Sequence, residues 1–234
     1  MMFLNATKIS CGYAKTKIIS DCNIYLKKGQ IASIVGPNGA GKSTAMKAIF
    51  GLIPLFEGSI FFNNEDISYL KPQERVLKGM SFVPQTNNIF QTMTVEENLE
   101  MGGFIRNDGI QETMNHVYEL FPILLEKKKQ TAENLSGGQR QQLAFGRALM
   151  TNPILLMLDE PSAGVSPIIM DELFKKVVDI SKKGVSILMV EQNAKQALKI
   201  SDIGFVLTQG KNKFIDTGKN LLSNVEVRES FLGG

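Results

Sequence analysis

The chain has 234 residues, of which 43% are hydrophobic and 21% charged, so its composition is that of a folded globular protein and excludes the disordered and fibrous classes. At about 150 residues per domain, this length predicts one domain, or one domain with an insertion. The net charge of +3 gives no support for nucleic-acid binding, which requires a strongly basic face.

Cysteine and histidine are too scarce for several kinds of site. Cys11, Cys22 and His116 are the only residues of these types, and they supply neither a disulfide framework nor zinc-ligand spacing. Histidine-based nucleophilic catalysis is equally unsupported, and we expect a reducing, cytosolic compartment. No apolar run approaches the roughly 20 residues of a membrane span, and the first residues do not resemble a signal peptide, so we expect that membrane attachment would need a partner.

Short apolar runs predict strands that alternate with helices, as in parallel βαβ units. The run IASIVG is almost wholly apolar and predicts a central strand covered on both faces, and Lys42 to Phe50 has the pattern of a helix. Further strands are predicted for FLNATKIS, NIYLKK, SIFFNN, SFVP (81–84), ILLML (154–158) and SILMV (186–190), with turns at Gly12, Gly29 and Gly58.

Residues 86–151 differ from the rest because helical spacing replaces strand patterns there. TVEENLEMGG, IQETMNHVYELF and SGGQRQQLAFGRALM have this spacing, and Thr94 followed by Glu97 is a helix N-cap signal. We therefore predict a helical subdomain (86–151) inserted into an α/β core (1–85 and 152–234). The C-terminal part is predicted to form strand, helix and strand, then a hairpin in IGFVLTQGKNKFIDTG and a final amphipathic segment.

The segment GPNGAGKST is the sharpest local signal. It fits the pattern G-x-x-x-x-G-K-[ST] between a predicted buried strand and a predicted helix, as a phosphate-binding loop requires. Glycines permit close backbone approach, and N–H groups at a helix start bind anions. We predict that Lys42 supplies charge for the β- and γ-phosphates, and the Ser43 hydroxyl can ligate Mg²⁺. The predicted nucleotide-binding residues of this loop are Gly36, Asn38, Gly39, Gly41, Lys42, Ser43 and Thr44.

Two acidic residues follow the apolar run ILLML. Because neighbouring residues on a strand point to opposite faces, Asp159 and Glu160 can serve different roles at its end. We predict that Asp159 faces Mg²⁺, while Glu160 orients the attacking water or accepts its proton. The alternative is a strand end that carries two solvated acids.

The segment LSGGQ (135–139) narrows the choice among P-loop proteins. A serine and two glycines at a helix start form a second anion-binding N-terminus, and a helix with an ordinary serine cap is the alternative. With its position before Asp159, the segment resembles the signature of the ABC ATPases. The resemblance implies that Ser136, Gly138 and Gln139 bind the ATP held by a partner subunit's P-loop, in a head-to-tail dimer with two composite sites.

Further positions match this family in order. Tyr13 lies where an aromatic residue stacks on adenine, with a buried core tyrosine as the alternative. Gln85 of SFVPQ matches the glutamine that, by resemblance, touches Mg²⁺ and the γ-phosphate and couples to the transmembrane partner. The segment SAGVSP (162–167) matches the D-loop. The resemblance therefore assigns Gln85 both to catalysis and, with Ser43 and Asp159, to the metal.

Two positions depart from the usual family pattern. Gln192 of VEQN stands where a histidine is usual, and Ser166 stands where many members have aspartate. A glutamine can donate a hydrogen bond to the γ-phosphate, so we keep Gln192 with Glu160 among the catalytic residues, but it cannot supply an imidazolium. His116 lies in the helical segment and is predicted to be structural or exposed.

The departures narrow the resemblance within the family. TVEENLEMGGF, PSAGVSP, VEQNAKQAL and VRESFLGG are together similar to the ATP-binding subunits of bacterial and archaeal branched-chain amino acid importers, from Tyr13 to Gly234, and urea and amide importers have close relatives. This implies a P-loop NTPase (RecA-like) α/β core with an N-terminal antiparallel β-subdomain and the helical insertion. It also implies ATP and Mg²⁺ as cofactors, a same or homologous ATPase partner, permease subunits, and a peripheral place on the cytoplasmic face of the cell membrane.

Two other classes stay open. A soluble ABC ATPase of DNA repair or translation usually carries a long coiled-coil insert or a second cassette, whereas the span from Gln85 to Leu135 is too short for such an arm. A P-loop kinase or GTPase is the third class. A GTPase would need a guanine-reading N-K-x-D segment, which NKFID (212–216) does not match.

Overall fold

The computed structural model describes residues 2–86 and 88–231, so residues 232–234, the end of VRESFLGG, lie outside it. Within these ranges the chain forms ten strands and ten α-helices. The strands are β1 (Leu4–Tyr13), β2 (Thr16–Leu26), β3 (Ile31–Val35), β4 (Leu55–Phe62), β5 (Glu65–Asp66), β6 (Met80–Val83), β7 (Leu155–Asp159), β8 (Ser186–Val190), β9 (Ile203–Thr208) and β10 (Lys211–Asp216). The helices are α1 (Lys42–Phe50), α2 (Pro72–Leu77), α3 (Val95–Gly102), α4 (Ile110–Leu120), α5 (Pro122–Glu126), α6 (Gly137–Leu149), α7 (Pro167–Lys182), α8 (Ala194–Ile200), α9 (Gly218–Ser223) and α10 (Val225–Phe231).

The strands form two sheets. An antiparallel sheet has the order β2-β1-β4-β5, and a six-stranded sheet has the order β10-β9-β3-β8-β7-β6. In the larger sheet β6, β7, β8, β3 and β9 are parallel, and β10 pairs antiparallel at one edge. This arrangement confirms the predicted α/β class with an N-terminal antiparallel sheet.

The larger sheet separates two hydrophobic cores. Strands β3, β7 and β8 are buried at every position, because helices or the other sheet cover both of their faces. Leu156 and Leu158 of β7 pack into the core shared with α3 to α8, whereas Leu155 and Met157 pack into the core shared with α1 and the antiparallel sheet. Opposite faces of one strand therefore hold the two layers together.

The segment that was predicted to be helical contains α3, α4, α5 and α6, with a short 3₁₀ turn at Ala132–Asn134. Thr94 caps α3, since its side chain accepts a hydrogen bond from the Glu97 N–H, and the Glu97 carboxylate accepts one from the Thr94 N–H at 2.7 Å. The rings of Phe121 and Phe145 pack edge to face, and they belong to the hydrophobic core that also contains Leu156 and Leu158 of β7. Among the described residues, no helix is long and apolar enough to cross a bilayer.

Two of the three predicted glycine turns are wrong. Gly12 lies within β1, and a Cβ there would come 1.9 Å from the Thr16 carbonyl oxygen, so glycine permits close approach of β2. The actual turn is at residues 14–15. Gly58 lies within β4 at φ +90°, opposite an irregularity in the β1 register, so it serves a bulge. Gly29 is in a turn, as predicted.

One detail of the C-terminal prediction is also wrong. Helix α8 leads directly into β9, which is itself the first strand of the β9–β10 hairpin, so no separate strand precedes the hairpin. The register of the larger sheet explains this, because β9 pairs with both β3 and β10 and serves as the second strand and as half of the hairpin.

Candidate functional site

The loop between β3 and α1 has the backbone of a phosphate cradle. Gly36, Gly39 and Gly41 have φ of +146°, +79° and +92°, a region that L side chains avoid. A Cβ on Gly36 would lie 2.2 Å from the Leu207 carbonyl oxygen, so this glycine allows the loop to pack on β9. At Gly39 no atom lies within 4 Å of the Cβ position, so this side of the loop is open to a ligand.

Lys42, the first residue of α1, places its ammonium inside this loop. The side chain is 5% exposed, and its Nζ donates hydrogen bonds to the carbonyl oxygens of Gly36 at 3.0 Å and Pro37 at 3.2 Å. Burial lowers the pKa of Lys42, whereas the nearby carboxylates of Glu160, Asp159 and Glu191 act in the opposite direction. The Lys42 ammonium is therefore held against the concave side of the loop, where its positive charge favours the binding of an anion.

Ser43 and Asp159 meet next to Lys42. The Ser43 hydroxyl donates a hydrogen bond of 2.7 Å to Asp159 Oδ1, which joins the start of α1 to the end of β7. Asp159 is 4% exposed, and this burial raises the pKa of its carboxyl group although the Ser43 hydroxyl opposes the rise. A hydroxyl and a carboxylate are the hard oxygen donors that Mg²⁺ binds together with phosphate oxygens.

The Glu160 carboxylate accepts hydrogen bonds from two side-chain amides. Gln85 Nε2 donates to Glu160 Oε2 at 2.7 Å, and Gln192 Nε2 donates to the same oxygen at 2.9 Å. Glu160 is 9% exposed, so the alternative of a strand end with two solvated acids is wrong. Both hydrogen bonds are accepted by Oε2, so they fix the carboxylate and leave Oε1 able to accept hydrogen bonds from other groups.

The separation of Asp159 from Glu160 has a different origin from the one predicted. Strand β7 ends at Asp159, and Glu160 has a left-handed φ of +51°, so strand alternation does not place it. Its N–H instead donates to the Val190 carbonyl oxygen at 2.9 Å, which ties the turn to the end of β8. A non-glycine residue held in this region is strained, and such strain is typical of functional sites.

Most of these groups line one cleft of about 300 Å³, whereas Asp159 and Gly36 do not line it. Its lining residues are Asn38, Gly39, Gly41, Lys42, Ser43, Thr44, Gln85, Glu160 and Gln192. A buried cation, a glycine loop and an oxygen donor pair suit a phosphate with Mg²⁺, and among the described residues no cluster of three His, Cys, Asp or Glu could hold a metal without such a ligand.

The predicted signature residues lie elsewhere. Ser136 caps α6, since its Oγ accepts from the Gln139 N–H at 3.3 Å and Gln139 Oε1 accepts from the Ser136 N–H at 3.0 Å. Ser136 and Gln139 line a cleft with Ile169 of α7 that shares no residue with the phosphate cleft. Gly138 is buried, and its Cβ position is 2.7 Å from the Ile169 side chain. The cap itself is exposed at the start of α6.

Two other sequence predictions concern exposed residues. Tyr13 ends β1 and is 48% exposed, so the alternative of a buried core tyrosine is wrong, although Tyr13 does not line the phosphate cleft. His116 lies exposed on α4, as predicted.

Sequence reasoning missed Glu191. This residue follows β8 as Asp159 ends β7, and it is 1% exposed. Its carboxylate accepts hydrogen bonds from the N–H and Oγ of Ser162. The available signal was an acid directly after the apolar residues ILMV of SILMV, the same signal that identified Asp159 and Glu160.

Residues 19–163 match the ABC transporter family. The chain belongs to this family. It is 43% identical to the high-affinity branched-chain amino acid transport ATP-binding protein BraG of Pseudomonas aeruginosa, over 99% of this chain and 100% of that protein. It is 38% identical to the probable branched-chain amino acid transport ATP-binding protein LivF of Archaeoglobus fulgidus, over 98% of each.

Solved structures of ABC transporter cassettes have the same fold. A cassette in its ADP conformation has a TM-score of 0.89 at 30% identity, and a nucleotide-free cassette has 0.88 at 31%, each covering 100% of both chains. These likenesses confirm the predicted cassette fold. The family member described here is therefore a nucleotide-binding ATPase.

Proposed function

We propose that this ABC ATPase lies on the cytoplasmic face of the cell membrane and drives the import of branched-chain amino acids. The observation that carries the proposal is the cleft where Lys42, the Ser43–Asp159 pair and Glu160 with its two glutamines converge. The class of solute rests on the two relatives named for branched-chain amino acid transport, which align over nearly the whole of each chain.

In this proposal the loop from Gly36 to Thr44 binds the phosphates of ATP. Its open side at Gly39 and the Lys42 ammonium provide space and charge for the β- and γ-phosphates. Ser43, Asp159 and Gln85 would hold Mg²⁺, which when bound neutralises phosphate charge. Tyr13, exposed at the end of β1, is proposed to stack on adenine.

Glu160 is proposed as the residue that orients the attacking water and accepts its proton. Its Oε2 is held by Gln85 and Gln192, so Oε1 can accept a hydrogen bond from water in a fixed direction. Gln192 is neutral and acts here by hydrogen bonding alone. Positioning, rather than a second titrating group, is thus the contribution of the two glutamines.

A second ATPase subunit, identical or homologous, is proposed to complete the site. Ser136 and Gln139 cap the start of α6 and line a surface cleft that shares no residue with the phosphate cleft of the same chain. An exposed helix N-terminus favours an anion, and the phosphate held by a facing subunit supplies one. Charge-assisted hydrogen bonds to that phosphate would stabilise a head-to-tail dimer.

A groove beside the nucleotide cleft suits a permease subunit. It has a volume of about 220 Å³ and lies between the α1–α2 region and the helices of segment 86–151. We propose that this segment is a helical subdomain inserted into the core formed by residues 1–85 and 152–234. Leu77 and Phe104, which lie close in sequence to the lining residues Val76 and Gly102, are 75% and 78% exposed, and we propose that the permease covers them. Pro84 lines the groove and Gln85 lines the nucleotide cleft, so docking is proposed to reach the site through this pair.

The experiment that tests the function compares Glu160→Gln with wild type. We expect the variant to bind ATP with unchanged affinity and to hydrolyse it roughly 100-fold more slowly, because the proton acceptor is lost while the cradle is intact. With ATP it should accumulate as a dimer in size-exclusion chromatography. Turnover equal to wild type would refute the role of Glu160.

Two further variants complete this experiment. Lys42→Ala should lose ATP affinity, measured by titration calorimetry, because the cradle loses its cation. Glu119→Gln changes an exposed acid on α4 and should leave both affinity and turnover unchanged. Import itself is tested by uptake of radiolabelled leucine into vesicles that contain the permease, with alanine and urea as competing solutes.

A further inference from the structure

Glu191 is a buried carboxylate with three hydrogen bonds. Its Oε1 accepts from the Ser162 N–H at 3.0 Å, and its Oε2 accepts from Ser162 Oγ at 2.8 Å and from the Gln192 N–H at 3.2 Å. Burial raises the pKa of Glu191, whereas the hydrogen bonds from Ser162 and Gln192 oppose the rise. A buried carboxylate is costly unless it is hydrogen-bonded, so these contacts determine where the loop and strand end lie.

These contacts join two segments of the site. Ser162 belongs to the loop between Glu160 and α7, and this loop is exposed at positions 163, 164 and 166. Gln192 donates through its side chain to Glu160 and through its backbone to Glu191. These contacts form a closed ring. It runs from Glu160 along the backbone to Ser162, then to the Glu191 carboxylate and Gln192, and returns to the Glu160 carboxylate in the cleft.

We infer that Glu191 is a positioning residue for hydrolysis, which sets Gln192 against Glu160 by holding the Gln192 backbone to Ser162. This inference rests on the proposed role of Glu160. A glutamine side chain has one more rotatable bond than a histidine and no charge, so its hydrogen bond depends on a well-fixed backbone. The same ring links Gln192 to the exposed loop, so displacement of that loop by a second subunit would move Gln192.

Steady-state ATPase kinetics of the full-length protein test this inference. We expect Glu191→Gln and Ser162→Ala each to lower kcat about tenfold, with the KM for ATP within about twofold of wild type, because only the alignment of Glu160 is lost. Ser162→Thr retains the hydroxyl and should restore kcat. Ser223→Ala removes an exposed α9 hydroxyl that donates to the Lys219 carbonyl oxygen, and this variant serves as the control.

A double variant separates positioning from a general loss of stability. Glu191→Gln with Ser162→Ala should lower kcat no further than either change alone, since both act on the hydrogen bond between Ser162 Oγ and Glu191 Oε2. Multiplied losses, or kcat values equal to wild type in the single variants, would overturn the inference. A lower Tm with unchanged kcat would do so too, because it indicates a purely structural contact. If Glu191→Gln does not fold, Ser162→Ala and Ser162→Thr decide.

The proposed function and this inference fail in different ways. If the wild-type chain does not hydrolyse ATP, or Glu160→Gln hydrolyses it at the wild-type rate, the proposed function fails. If Glu160→Gln loses turnover as expected but Glu191→Gln and Ser162→Ala do not, only the inference fails.

Discussion

Asp159 is a carboxylate in a place unfavourable to charge. It is 4% exposed at the end of a wholly buried strand, and burial raises its pKa above the ordinary value. A raised pKa stabilises the fold at low pH, and this contribution is lost as the pH rises through the folded-state pKa. At neutral pH the ionised Asp159 therefore destabilises the nucleotide-free fold, a cost that its proposed role as a metal ligand would explain.

Asp159→Asn should separate stability from activity. We expect a higher free energy of unfolding than wild type at pH 7 without nucleotide, because the amide needs no charge and still accepts from Ser43. Urea denaturation measures this difference, which should shrink as the pH falls towards the pKa of a free carboxyl group. ATP turnover should fall by roughly 100-fold, a size typical of losing an electrostatic stabiliser. A variant less stable than wild type at pH 7 would contradict the argument.

Helix α2 shows how a short element depends on one side chain. It has six residues, too few for an isolated helix to be stable in water. Arg75 in this helix is 1% exposed, and burial lowers its pKa to about 10. Its guanidinium donates hydrogen bonds to four carbonyl oxygens, those of Leu70 (3.0 Å), Ser68 (3.1 Å), Ala48 (3.2 Å) and Ile49 (2.6 Å). The arginine therefore joins α2 to the last turn of α1, whose first turn carries Lys42.

Arg75→Met should lower the free energy of unfolding by about 3 kcal/mol, because buried carbonyl oxygens lose their donors. The measurement is urea denaturation at pH 7. Arg228→Met changes an exposed arginine and should stay within about 0.5 kcal/mol of wild type. Equal stability of the two variants would show that the Arg75 contacts contribute no net stability.

Hydrolysis is expected to need a second ATPase subunit, identical or homologous. The signature cap and the phosphate cleft lie on one chain but share no lining residue, which supports the proposal that each chain carries two half-sites. Loss of the γ-phosphate after hydrolysis would remove contacts to the facing Ser136 and Gly138 and so weaken the closed pair. ATP binding and dimer formation should therefore be separable.

Ser136→Arg, introduced into the Glu160→Gln background, tests this separation. The monomer should bind ATP with an affinity within about twofold of the parent, because Ser136 does not line the phosphate cleft of its own chain. The ATP-dependent dimer should disappear in size-exclusion chromatography with light scattering, because the bulky cation occupies the cap. Ser223→Arg in the same background should still form the dimer. A dimer that persists in the Ser136 variant would contradict the composite site.

Local patterns were sufficient for much of the fold. Helix α1 was predicted with the same limits as observed, and β3 and β8 differ from their predicted runs by at most one residue, because each depends on nearby apolar spacing. Gly12 and Gly58 were misassigned as turns, because a glycine that permits close approach of another strand looks the same in sequence as a glycine in a turn.

Motif chemistry identified the kinds of residue at the site, and chain folding arranged them. Glycines, a lysine and acids after apolar runs indicate phosphate and metal chemistry wherever they occur, because that chemistry depends on residue type and short spacing. The hydrogen bonds of Gln85 and Gln192 to one oxygen of Glu160, and the burial of Glu191 against Ser162, join residues far apart in the chain. Such contacts depend on how β6, β7 and β8 lie side by side, which no local pattern encodes.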